Sequence, residues 1–104
     1  MNPWILILIA GMMEVVWAMG LKYSEGFTRP LASLVTATAI LVSLYCLSLG
    51  MKQIPVGTAY AVWVGIGAVG TAIAAVILFA EPVNAMRIGG IVLVIAGIIV
   101  LKFA

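Results

Sequence analysis

In the stretch GMMEVVWAMG (residues 11–20), Glu14 is preceded at i−3 by Gly11 and followed at i+3 by Trp17. On a helix these three positions share a face, so a carboxylate and an indole stand beside a position without side-chain bulk. Side chains of complementary chemistry recur further on: Ser43 in LVSLYC (41–46), and Tyr60 with Trp63, again at i, i+3, in TAYAVW (58–63). An indole N–H only donates, so in a dry site it needs an acceptor, and a carboxylate serves. The hydroxyl of Ser43 most often bonds its own helix backbone, yet it can also reach an acid on a neighbouring helix. Carboxylate, indoles, phenol and hydroxyl, with no fixed cation among them, suit a cationic ligand. A carboxyl removed from water favours its protonated form, whereas a cation beside it favours the charged form. Protons and a cation therefore compete for one group, and with alternating access that competition is sufficient for antiport.

The chain that must position these groups is mostly apolar. Of 104 residues, 66% are hydrophobic and 8% charged, and the mean hydropathy is +1.37. Soluble domains carry about a quarter charged residues, so an integral membrane protein is expected. Glu14 alone among the ionisable residues falls in the middle of an apolar run; Lys22, Glu25, Arg29, Lys52, Glu81, Arg87 and Lys102 all flank one. A net charge of +2, this scattered, excludes a nucleic-acid surface. Cys46 is the one cysteine, and there is no His and no Asp. Disulfide, zinc and Ser-His-Asp chemistry are thereby excluded, and neither a cofactor nor an enzymatic activity is expected. The N-terminus lacks the basic region and cleavage site of a signal peptide, so its apolar run should remain as a spanning helix.

A helix crossing about 30 Å of hydrocarbon needs roughly 20 apolar residues. Four runs qualify, about 4–21, 31–50, 57–79 and 86–102, which predicts one four-helix transmembrane domain over 1–104. The connections KYSEGFTRP, MKQIPVG and AEPVNA are short, so consecutive helices should be antiparallel neighbours. Four spans place Lys52 and Lys102 on one side and Lys22, Arg29 and Arg87 on the other. The positive-inside rule counts such residues, and this near balance predicts insertion in both orientations. Gly65, Gly67 and Gly70 in the third span permit close helix packing or bending for gating. In the fourth, Gly89-Gly90 and Ala96-Gly97 lie seven residues apart on one face, a candidate dimer seam at Gly90 and Gly97. Glu14 falls near the bilayer midplane, where an ionised acid costs about 2.5–3.5 kcal/mol or more, so it should face an interior rather than lipid.

These pieces, in order and at these separations, resemble the small multidrug resistance transporters over essentially the full chain. The likeness rests on Ala10-Gly11 with Glu14-Val15, on Lys22 to Arg29, on Ile54 to Trp63, on Gly65-Ile66-Gly67, on Glu81-Pro82 and on Gly90 to Gly97. Glu14-Val15-Val16-Trp17-Ala18 together with Ser43 is similar to the guanidinium-exporter branch, since quaternary-ammonium exporters usually carry a small residue at the place of Trp17. The resemblance implies an all-α membrane protein of the bacterial inner membrane, acting as an antiparallel, dual-topology homodimer that exchanges guanidinium for protons. It implies a site shared by two copies of Glu14, with Trp17 and Ser43 as hydrogen-bond partners, Tyr60 and Trp63 as lining, and fourth helices forming much of the seam. Val64 departs from the branch, where Thr or Ser is common, and makes one wall apolar.

Three other readings compete. A broad quaternary-ammonium exporter uses the same acid with a looser pocket, and Val64 favours it. A non-transporting half of a heterodimer would carry strongly biased loop charges, which this chain lacks. A passive cation channel would not need a proton-exchanging acid.

Overall fold

The computed structural model describes residues 2–104. It contains four helices, α1 (Pro3–Tyr23), α2 (Pro30–Gly50), α3 (Val56–Phe79) and α4 (Ala85–Phe103), and no strand among the described residues. Each helix is long and apolar enough to cross a membrane, and each bound lies within two residues of the expected span. Leu31, Leu41, Ile77 and Leu93 are 70–75% exposed, a surface that only lipid or another apolar chain can cover.

Local chemistry sets the helix ends. Asn2 caps α1 by accepting from the backbone N–H of Trp4 at 2.8 Å, with Pro3 in the first turn. Asn84 caps α4 in the same way, accepting from Arg87 N–H at 2.9 Å. Pro30 opens α2 and Pro55 precedes α3, where a missing N–H costs nothing. The α1–α2 turn runs through left-handed backbone at Glu25, Gly26 and Phe27 (φ 48°, 73° and 65°). Buried Ser24 fastens that turn, donating to the Leu21 carbonyl at 2.8 Å and accepting from Phe27 N–H at 3.2 Å.

Helix α1 is central. It packs along both α2 and α3, whereas α2 and α3 meet only sparsely and α4 packs chiefly on α3, reaching α1 through Lys102, whose Nζ stands 5.8 Å from the centroid of the Trp4 ring. The expectation that every consecutive pair would be principal neighbours therefore fails for α2–α3. The reason is the small residues on α1, which admit a helix on each side. Gly20 leaves room for Thr36 of α2, and Gly11 for Ile66 of α3. The helices lie in the order α2, α1, α3, α4, in a slab with extents 41 × 35 × 18 Å. Its core, around Ile7, Ala10, Leu47, Ala59, Val62 and Trp63, lies toward the end where α1 and α3 begin. No residue of α4 is buried.

Thr36 is fully buried, β-branched and hydrogen-bonded to the Ala32 carbonyl at 2.7 Å, so it cannot yield to a side chain at position 20. Gly20→Val should lower stability by roughly 1–3 kcal/mol, read by circular dichroism during denaturation in mixed micelles. Gly57→Ala, whose Cβ meets nothing within 4 Å, should leave the transition unmoved.

Candidate functional site

Inside hydrocarbon every polar atom needs a protein partner. The fully buried hydroxyls have theirs: Ser24 and Thr36 bond carbonyls of their own helices, and Ser43 donates across to the Ala10 carbonyl of α1 at 2.7 Å. Among the described residues, two buried side-chain polar atoms have none, Glu14 Oε2 and Trp17 Nε1. They stand one turn apart on α1. Unmatched buried polar groups are rare enough in native structures to need an explanation, and together they make this turn the candidate site.

Glycines shape it. A Cβ on Gly67 of α3 would fall on the Glu14 carboxyl group, and one on Gly70 would meet the side chain of Val15. Conversely, a Cβ on Gly11 would lie 2.5 Å from Ile66. Helices α1 and α3 thus interlock, each offering a gap to the other's side chain, and the carboxyl lies in the gap of Gly67. From there an open cleft of about 440 Å³ runs between the two helices, past Ala18 and Thr71, to Lys22, Phe79 and Glu81 at its mouth. Lys22 stands eight residues after Glu14, which at 1.5 Å per residue makes the cleft about 12 Å long.

The other expected side chains divide into two groups. Trp63, 7% exposed, donates its indole N–H to Ser43 Oγ at 3.0 Å and to the Ala10 carbonyl at 3.3 Å. Tyr60 is exposed and meets the Trp63 ring edge-on at 5.3 Å. Within the single chain Ser43 donates to the α1 backbone rather than to Glu14. Within the single chain Trp17 does not bond Glu14 either. Geometry explains the difference. The Glu14 side chain turns toward α3, whereas Ser43 approaches α1 where α2, α1 and α3 converge and meets the Ala10 carbonyl there.

Ala10 was not legible as a functional position, because its contribution is a carbonyl. That carbonyl lies one turn before Glu14, at the helical acceptor position for the Glu14 N–H, so Ser43 and Trp63 fix the turn that carries the acid. Gly65 packs against Ile98 of α4, with a Cβ 2.8 Å from Ile98 Cδ1. Gly89, Gly90 and Gly97 have no described atom within 4 Å of a built Cβ. The intrachain packing open to them in the sequence is not made.

Comparison with known proteins gives consistent relatives. A profile for Small Multidrug Resistance proteins matches residues 2–94. The guanidinium exporter of Escherichia coli (strain K12) is 54% identical over 101 residues, spanning 97% of this chain and 96% of that protein. The guanidinium exporters of Proteus vulgaris and Yersinia pseudotuberculosis are each 52% identical over 101 residues, spanning 97% of both chains.

Gly67→Ala places a methyl group on the carboxyl and should weaken binding of a small organic cation by about tenfold or more, read by tryptophan fluorescence in lipid nanodiscs. Ser43→Ala leaves the Trp63 indole with only its longer bond to Ala10. It should cost about 1–3 kcal/mol in stability, measured by denaturation in mixed micelles.

Proposed function

The chain belongs to the small multidrug resistance family, and on that premise we propose that it exports guanidinium in exchange for protons. It is a multi-pass protein of the bacterial inner membrane, and in this reading the transported ion leaves chemically unchanged. The observation that carries the reading is Glu14 Oε2, out of solvent and without a partner, at the inner end of a cleft. The names of relatives more than half identical along nearly the whole chain supply the substrate class.

Guanidinium is planar, weakly hydrated and presents paired N–H donors to a carboxylate fork. Glu14 holds either protons or this ion, so the arrival of one releases the other. The unpaired indole N–H of Trp17 is assigned to a Glu14 carboxylate once a second copy completes the site. Ser43 acts through the Ala10 carbonyl and Trp63, holding the turn on which the acid sits. Tyr60 and Trp63 form the aromatic wall beyond it.

The partner in this reading is an oppositely inserted second copy, which makes an antiparallel homodimer. Helix α4 supports it, being without a buried residue and having, among the described residues, no atom of another helix within 4 Å of where a side chain on Gly90 or Gly97 would begin. Small residues of this kind permit close helix approach in lipid. The two-against-three distribution of flanking Lys and Arg supports both orientations.

In proteoliposomes a proton gradient should drive guanidinium uphill, and Glu14→Gln should abolish the coupled flux; a downhill leak without proton movement would identify a channel instead. Trp17→Gly should admit bulky quaternary ammonium ions that the unaltered protein rejects, and unchanged selectivity would remove Trp17 from the role given to it. Three added lysines at one end of the chain should fix its orientation and silence it. Co-expression with a copy biased the other way should restore guanidinium resistance.

A further inference from the structure

The mouth of the Glu14 cleft is lined by Lys22, Phe79 and Glu81, and Arg87 of α4 reaches it through its pair with Glu81. Lys22 Nζ stands 4.3 Å from the centroid of the Phe79 ring, which meets the Tyr23 ring at 5.3 Å with the two planes tilted by 44°. Arg87 Nη2 meets Glu81 Oε1 at 2.9 Å. Phe79 is the last residue of α3, and Ala80 follows in left-handed backbone at φ 51°, so the chain reverses and returns Glu81 to the cleft. Both α1 and α3 also end here, and helix C-termini favour positive charge. An aromatic face, a carboxylate and two helix ends therefore converge on a place that attracts cations, and the chain's own side chains occupy it.

We propose that Phe79 and Glu81 form a second, outer cation site at the mouth of the cleft, occupied at rest by Lys22 and Arg87 and taken over transiently by guanidinium on its way to or from Glu14. The proposal rests on the guanidinium reading above. Arg87 already presents to Glu81 the same chemical group as the substrate, so displacement exchanges one guanidinium for another on a single carboxylate. A free guanidinium ion can in addition lie against the Phe79 face, the position that Lys22 leaves for water. Lys22 and Arg87 together outweigh Glu81, so the mouth keeps one net positive charge. The outer site is consequently weak: it collects the ion without retaining it in competition with Glu14.

The outer site changes the rate of reaching Glu14 and not the equilibrium there, which separates it from a structural role. In Phe79→Leu, kcat/KM for guanidinium, from initial currents on a supported membrane, should fall about three- to fivefold. The equilibrium Kd, from tryptophan fluorescence, should stay within about twofold of the unaltered protein. Phe79→Tyr should restore kcat/KM. Lys22→Gln, which frees the ring and lowers the positive charge, should raise kcat/KM at low ionic strength, a gain that misfolding cannot produce. An unchanged kcat/KM in Phe79→Leu, a parallel loss of kcat/KM and affinity, or no gain in Lys22→Gln overturns the outer site. If Glu14→Gln abolishes transport in the same assay, such a failure leaves the central site standing. Transport that survives in Glu14→Gln overturns both.

Discussion

A carboxyl group can sit at mid-membrane depth only where the protein leaves room for it and shields it from lipid, and in this fold that room comes from the close approach of α1 to α3. The approach is reciprocal. Gly11 of α1 receives Ile66 of α3, while Gly67 and Gly70 of α3 receive Glu14 and Val15 of α1. With little hydrophobic drive between helices in lipid, such interlocking supplies much of what holds them together. The rest follows from it. The carboxyl turns toward α3, the cleft opens beside it, and α4 is left on the far side of α3 at the Gly65–Ile98 contact. A side chain at position 67 disturbs the packing and the chemistry together, because the gap that joins the helices is also the seat of the acid.

Helix α1 engages its two neighbours by different means. Toward α2 and the start of α3 it offers a backbone carbonyl, that of Ala10, which takes donors from Ser43 and Trp63. Toward the middle of α3 it offers the Glu14 side chain. The first arrangement is satisfied and buried, and the second is open-ended. One turn of helix therefore carries a fixed anchor and a vacant acceptor side by side, and the anchor sets the position from which the acceptor faces the cleft.

Most of the fold was legible because lipid imposes a simple code. Runs of about twenty apolar residues, punctuated by Pro, Gly, Asn and charge, gave four helices with ends close to those observed. The acid was legible for the same reason, as the one charge inside such a run. Lateral order was not legible: short loops suggest that neighbours in sequence pack together, but Gly11 and Gly20 let α1 take two partners and separate α2 from α3. The partners of Ser43 and Trp63 were also hidden, because the acceptor they share is a main-chain oxygen of Ala10, which no residue type announces. Phe79 read as one more apolar residue at the end of a run until its ring was found beneath Lys22.

The cluster of Ile7, Ala10, Leu47, Val62 and Trp63 bears on the direction from which the acid can be approached. The cleft beside Glu14 runs from the acid toward Lys22, Phe79 and Glu81, away from this cluster, and the separate space of about 490 Å³ between Leu8, Ile66 and Ile99 at the other end is not lined by Glu14. Within the single chain, water and small ions therefore reach the acid from the end at which α1 and α3 both terminate.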